Sequence, residues 1–408
     1  MRRLTRLKAA MLLALAPGLA LAACSSGSSG SNGSSGSSGS ASSPFTVVVV
    51  APMSGQLAAY GAFTKQAYLA SVKTVNARGG ILGHKVVATI LDDQGNPTTG
   101  VSVLQAYLSS HPKPDLVYPG AASPEVQGTA PYLASQGILT VSAAALPSMD
   151  DPSKYPLYFS TNTHNTASLT KIVSYIKAHG YTRVGIISSD DTIGDQITAG
   201  MATVTKGTSL KVNTVLFPPA ALDVTPEVEK LKAFNPQVVV MDAVGPLTLL
   251  ILNARQNIGW TIPFIGGVNS GGADFSQISS AALKNVFVTV YAIQQYAAPA
   301  QRTAAFNNFY SAVKSGGPLV YSTFYYAVDY DPLQVVSVAA QQANSLDPHM
   351  IAAALQDLTQ PANPPWVLFK HEGYSTTTHL NTSTTADYAI VPATPLDQGF
   401  TGGVGSSS

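Results

Sequence analysis

"APMSGQLAAYGAFTKQAYLASVKTVNARGGILGHKVVATILDDQGNPTTGVSV", residues 51–103, decides the fold of this chain. It is entered through one run of β-branched residues, "FTVVVVA" (45–51), and contains a second, "KVVATILDD" (85–93). Both runs are nearly continuous in apolarity rather than alternating, which is the pattern of strands buried on both faces. A helical segment fills the interval between them. Strand, helix and strand in that order build a parallel sheet covered on both sides.

The alternation continues along the chain. Further strands are expected at 115–120, 138–143, 183–188, 212–217, 237–243 and 285–290. Leu169, Ile172, Val173 and Ile176 repeat at helical spacing, as do Leu247, Leu250, Ile251 and Ala254. So many strands in so long a chain imply two lobes. The stretch "YPLYFSTNTHNT" (155–166), polar and aperiodic after Pro156, reads as a crossover between them. The expected division is 45–161 with about 293–345 in lobe I, and 162–292 with about 346–395 in lobe II. The long helical stretch near 322–344 returns to lobe I, and 396–408 reads as a loose tail.

The chain opens with Arg2, Arg3, Arg6 and Lys8, followed by an apolar stretch from Met11 to Leu21 and the small residues Ala22 and Ala23. These are the three parts of a secretory signal over 1–23. The apolar part falls short of the roughly 20 residues a membrane-spanning helix needs. Leu21-Ala22-Ala23-Cys24 resembles the bacterial lipobox, which implies a lipid on the Cys24 sulfur and cleavage before it. Residues 24–44 are then a Ser/Gly tether, too polar to fold, with a mean reach of roughly 25 Å. The expected location is outside the cytoplasm, on the outer face of the cell membrane.

Composition narrows the function. Lys+Arg 22 nearly balance Asp+Glu 21, and loss of the leader leaves a slightly acidic body, which argues against nucleic-acid binding. Cys24 is the only cysteine, so no disulfide forms within the chain. The seven histidines show no metal-ligand spacing, and no nucleophile elbow, phosphate-cradling loop or zinc-hydrolase motif occurs. No metal, cofactor or catalytic residue is therefore expected.

Within 51–103, Ser54-Gly55, Tyr60-Gly61, Asn76-Ala77-Arg78-Gly79-Gly80-Ile81, Gly83, and Asp92-Asp93 before Asn96-Pro97 resemble the branched-chain amino-acid type of periplasmic binding protein. These are type I solute receptors of ABC importers. Gly137-Ile138, Gly194, Ala254-Arg255 and Tyr330-Asp331 extend the resemblance over nearly all of the body. It implies an α/β protein with two doubly wound parallel-sheet lobes, a three-segment hinge and a ligand cleft between the lobes. It further implies a monomer that takes a small-molecule ligand and passes it to ABC permease subunits. A sensor of the same fold, feeding a signalling partner, is the other role the resemblance allows.

The resemblance also assigns residues. Tyr60 matches an aromatic position lining the cleft, and Ser123 the serine whose hydroxyl and N–H hold the ligand carboxylate. Ser123 also suits a helix N-cap before Pro124. Ala144 and Ala145 match a segment acting through its backbone. Leu146 stands where these receptors carry a threonine, and Ile193 where they carry a tyrosine. Val268 falls at the acidic residue that neutralises the ligand ammonium, and neither Asn269 nor Ser270 supplies a charge. A buried ammonium without a counter-charge costs several kcal/mol. The expected ligand is thus an amine-free acid, an amide or an aromatic or other hydrophobic compound rather than an ordinary α-amino acid, with a branched-chain amino-acid-like solute as the alternative. Asp191, Asp195 and Asp242 are near enough in sequence to supply the missing charge.

Overall fold

The structure, a computed structural model, describes residues 42–55, 57–295 and 297–401. The expected signal segment, Cys24 and nearly all of the Ser/Gly tether lie outside the described residues.

Lobe I opens with β1 (Phe45–Ala51), α1 (Ala58–Ala77), β2 (Val86–Asp92), α2 (Pro97–Ser110), β3 (Leu116–Tyr118), α3 (Ser123–Ser135), β4 (Thr140–Ser142) and β5 (Tyr158–Thr163). Lobe II follows with α4 (Thr166–Ala178), β6 (Arg183–Ser189), α5 (Thr192–Thr205), β7 (Lys211–Phe217), α6 (Thr225–Ala233), β8 (Val238–Asp242), α7 (Pro246–Asn257), β9 (Phe264–Gly266) and β10 (Val286–Tyr291). The chain then adds α8 (Ala304–Lys314), α9 (Thr323–Ala343), α10 (Pro348–Gln356) and β11 (Leu380–Asn381) to lobe I, and β12 (Tyr388–Pro392) to lobe II.

The sheet orders are β11-β5-β4-β3-β1-β2 and β12-β10-β9-β8-β6-β7. All the pairings are parallel except that of β12 with β10. Each lobe is doubly wound, and the continuous apolarity of the strands explains how. In β1, Phe45, Val47, Val49 and Ala51 face the core under α1 and α9, while Val48 and Val50 face Leu104 of α2 and Leu133 of α3. In β8, Val239 and Met241 face Leu231 of α6 and Ile251 of α7, while Val238 and Val240 face Ile172 of α4 and Ile197 of α5. The winding direction reverses between β1 and β3 in lobe I and between β6 and β8 in lobe II. Such switch points leave a crevice at the carboxyl ends of the strands, where ligands bind.

Three assignments need correction. Residues 158–163 are strand β5, so the first crossover shrinks to His164 and Asn165. Most of 346–395 does not join lobe II: α10 packs on α9, β11 pairs with β5, and only β12 reaches the second sheet. Nor is the tail loose as far as Thr401. Phe400 is buried against Phe306 and Tyr310 of α8, and the Thr401 N–H donates to the Gln294 carbonyl at 2.8 Å. Residues 402–408 lie outside the described residues. The expected three connections are present, at 164–165, 292–303 and 382–387, and the return after β12 adds a fourth passage to lobe I.

Candidate functional site

The lobe I wall of the cleft begins in the loop after β1. Asp92 braces that loop by accepting the Met53 N–H at 2.9 Å, the Ser54 hydroxyl at 2.6 Å and the Gln94 N–H at 2.9 Å. The Ser54 hydroxyl, foremost among these donors, holds its carboxyl below the usual range. Gly61 lets the loop fold onto α1, since a Cβ there would stand 2.1 Å from the Pro52 carbonyl oxygen. Tyr60 is half-buried at this junction, with its ring 5.4 Å from Phe63, 5.8 Å from Tyr321 and 6.4 Å from Tyr325. Tyr321 and Tyr325 come from the start of α9 and the turn before it. The sequence offered no way to join them to a tyrosine more than 250 positions away.

Ser123 is the first residue of α3 rather than its N-cap, which is Ala122, and no side chain caps this helix start. Pro124 has no N–H, so the Ser123 hydroxyl and N–H stand at the positive end of the helix dipole, a place suited to a carboxylate. Burial pushes the nearby Glu125 carboxyl up, which reduces the negative charge beside that helix start.

Ala144 and Leu146 are buried within lobe I. The Ala144 carbonyl accepts from the Ser160 hydroxyl at 2.9 Å and the Leu146 N–H at 3.0 Å. The Leu146 side chain packs against Val126, Met149, Tyr155 and Tyr158, so it faces the core of lobe I and not the cleft. This corrects the expectation that its apolar side chain replaces a cleft-facing threonine. Ala145 does meet lobe II, because its carbonyl accepts from Gln196 Nε2 of α5 at 3.0 Å. Beside that bond lies a cavity of about 350 Å³ bounded by Ala145, Pro147, His164, Asn165, Asp195 and Gln196. His164 itself turns to lobe I and pairs with Asp150 at 3.0 Å.

On the lobe II wall, Ile193 lies in the first turn of α5, where Asp191 caps the helix by accepting the Ile193 and Gly194 N–H groups at 2.9 and 3.3 Å. Val268, although in lobe II, packs against the core of lobe I. Asn269 and Ser270 turn over Asp242, the last residue of β8: Asn269 Nδ2 and the Ser270 N–H each donate to its carboxylate at 3.1 Å. A carboxylate therefore does lie beside position 268, supplied by the neighbouring strand. Burial pushes its pKa up to about 6 despite these donors. The signal for it was its place at the carboxyl end of a strand next to the switch point.

The two walls touch. A Cβ on Gly245 would stand 3.0 Å from the Tyr60 hydroxyl, and one on Gly272 would stand 2.5–2.8 Å from the Tyr325 ring and hydroxyl. Among the described residues, no group of three or more His, Cys, Asp or Glu side chains could hold a metal ion. No helix among them is long and apolar enough to cross a membrane.

A family profile described as periplasmic binding protein matches residues 44–390. A Leu/Ile/Val-binding protein of Rhizobium johnstonii is 25% identical over 60% of this chain and 66% of its own length. A Leu/Ile/Val-binding protein homologue of Brucella melitensis is 24% identical over 76% of this chain and 83% of its own length. A solute-binding protein of an ABC transporter from R. palustris, solved with 4-hydroxybenzoate, superposes with a TM-score of 0.71 at 19% identity, covering 88% of this chain and 95% of that one. That likeness establishes the fold. Since the profile runs through both lobes and both switch points, the chain belongs to the periplasmic binding protein family, in its type I, branched-chain amino-acid form.

Proposed function

We propose that this protein is an extracytoplasmic receptor that binds a small organic solute between its lobes and presents it to the permease of an ABC importer. The observation that supports this reading is that the lobes meet beside their switch points, Gly245 and Gly272 of lobe II lying against Tyr60 and Tyr325 of lobe I; Tyr60 and Ser123 are the proposed contacts on one side and Val268 and Asn269 on the other. The lipobox-like Leu21–Cys24 and the Ser/Gly stretch after it support a lipid anchor at Cys24, with slack for a monomeric body to meet the permease. The proposed contacts are a ligand carboxylate at the start of α3, an apolar body against Tyr60, and closing contacts from Ala144, Ala145, Ile193, Val268 and Asn269. Leucine-type solutes, bound by relatives as their names state, and aromatic acids such as 4-hydroxybenzoate both suit this arrangement.

Differential scanning fluorimetry of the protein tests the reading, using leucine, isoleucine, valine, short amides, amine-free carboxylates and aromatic acids. A ligand that binds only the folded protein raises the melting temperature, at saturation by roughly several degrees. The expected result is a rise with one class, together with a more compact X-ray scattering profile. No rise with any class, or turnover of the bound compound, overturns it.

A further inference from the structure

The connection from β10 to α8 carries a buried glutamine that touches both lobes. Gln294 lies within 292–303 and is fully buried. Its side-chain oxygen accepts the Tyr291 N–H at 2.8 Å. A backbone N–H can only donate, so this bond fixes the amide and turns Nε2 the other way. Nε2 donates to the Gly271 carbonyl of lobe II at 3.3 Å and to the Ser322 hydroxyl of lobe I at 3.2 Å. Gly271 stands next to Gly272, where a Cβ would meet the Tyr325 ring, and Ser322 is the N-cap of α9 beside Tyr321. One side chain thus spans the two wall segments that meet at Tyr325.

The last described residues clasp this connection. Asp397 and Phe400 exchange both N–H to carbonyl bonds at 2.9 Å, which closes a two-residue hairpin. Gln398 and Gly399 take φ values of 49° and 85°, the left-handed pair that so tight a turn requires. A Cβ on Gly399 would stand 3.1–3.3 Å from Leu319, Tyr321 and Thr323, so the tip sits closely on the start of α9. The Gly399 carbonyl accepts the Thr323 N–H at 2.7 Å, and the Thr401 N–H donates to the Gln294 carbonyl at 2.8 Å. The Thr323 hydroxyl donates to the Ile293 carbonyl at 3.2 Å. At the far end of the connection, the Arg302 guanidinium lies 4.6 Å from the centre of the Phe400 ring. The tail therefore holds both ends of 292–303 and the first residue of α9 at once.

We propose that Gln294 is a positioning residue of the cleft and that the C-terminal clasp, 397–401, locks it in place. Together they hold the Gly271–Gly272 turn against Ser322 and Tyr325, and so set how far the lobes part. Parting these segments takes acceptors away from Nε2, and a buried donor that loses its acceptors is costly. Opening therefore works against this side chain, although it stands behind the proposed ligand contacts and not among them. The inference goes beyond the receptor reading and holds whichever solute binds.

The test is pulsed electron-spin resonance on the unliganded full chain. Cys24→Ser, Gln127→Cys and Leu222→Cys place spin labels at exposed positions on opposite lobes. Gln294→Met keeps the length of the side chain without its polar atoms, Phe400→Ala loosens the clasp, and Ser322→Ala removes one acceptor. The expected result is that Gln294→Met and Phe400→Ala each raise the population at separations longer than the main wild-type distance by about fivefold or more. Ser322→Ala should give a smaller shift in the same direction. A merely structural role would lower the melting temperature and leave the distances as in the wild type, and that result overturns the inference. A shift with Phe400→Ala but not with a folded Gln294→Met overturns it as well. If Gln294→Met does not fold, Ser322→Ala and Phe400→Ala decide, and an unchanged distribution in either one overturns the inference. No solute enters the measurement, so its failure and that of the receptor reading are told apart.

Discussion

The two lobes share a winding order but not a core. Lobe II is more aliphatic, and its deeply buried charged group away from the cleft, Arg255, is held by carbonyls through its two terminal nitrogens, while its Nε has no partner among the described residues. Its guanidinium donates to the carbonyls of Ala282, Ile262 and Lys284 at 2.9–3.1 Å and lies over the Phe264 ring. Lobe I is aromatic and holds buried acids that meet no cation among the described residues. Tyr118 donates to Asp329, and the Val367 and Leu368 N–H groups donate to Asp331 at 2.7–3.0 Å. The Tyr374 hydroxyl donates to Glu372 at 2.7 Å. One oxygen each of Asp329 and Glu372 has no partner among the described residues. Burial pushes the pKa of Asp329 and of Asp331 up to about 7 and that of Glu372 well above its ordinary value. The difference teaches that a buried carboxyl can be kept by protonation where a buried guanidinium is kept by carbonyls. Lobe I also gathers α8, α9, α10 and the last described residues, so long-range contacts converge there.

The largest expected effect breaks the acid side of this contrast. Asp331→Ala leaves two buried N–H groups without an acceptor, and each such loss costs about 1–3 kcal/mol. Urea unfolding should show a fall of about 2–6 kcal/mol. A loss below about 1 kcal/mol would mean that the 366–369 turn repacks and that Asp331 does not hold it.

The second prediction concerns pH. For a carboxyl whose pKa rises on folding, the folded chain binds more protons than the unfolded chain between the two values, so stability falls as pH rises. The contribution of Asp329 and Asp331 is full below about 4, the unfolded value, and is lost as pH rises through about 7. The melting temperature should therefore rise on acidification from pH 8 to pH 5. Asp329→Asn should flatten that slope, since it removes one proton-linked group of the pair. A melting temperature that falls across this range would contradict the assignment of the lobe I acids as protonated.

Gly272→Ala sharpens the comparison at the contact between the lobes. The added methyl meets the Tyr325 ring at 2.5 Å, and overpacking of this kind costs about 1–3 kcal/mol. The cost should fall on closure, so ligand affinity should drop by about tenfold or more while the unliganded melting temperature holds. Equal loss in both measurements would place the strain within lobe II. The smallest effect is expected from Gln196→Ala, which removes the bond from α5 to the Ala145 carbonyl. A typical hydrogen bond is worth about 0.5–1.5 kcal/mol, so the ligand dissociation constant should rise by roughly two- to tenfold.

Legibility in the sequence followed burial chemistry. β1 was read to the residue because "FTVVVVA" is apolar on both faces. β5 was missed because "YFSTNT" buries hydroxyls instead: Ser160 donates to the Ala144 carbonyl, Thr161 donates to the Ser142 carbonyl, and Thr163 meets the Tyr388 hydroxyl. Satisfied hydroxyls can be buried as completely as valines, but they give no apolar run. In the candidate site, Tyr60 and Ser123 remain proposed contacts, and Leu146 was misread because a residue's place in a loop does not say which way its side chain points.

The sequence by itself determined the alternation of the long apolar strands with helices, the parallel winding and the two lobes, but not β5, β9, β11 or β12, because it displays only local apolar runs and the short connections between them. Only the tertiary structure decided that α10 and β11 close lobe I, that Tyr321 and Tyr325 stand beside Tyr60, and that Asp242 lies beneath Asn269. Sheet membership at an edge depends on which strand edge is free. A cleft is made where loops distant in sequence converge, and neither property has a period that a single chain can display.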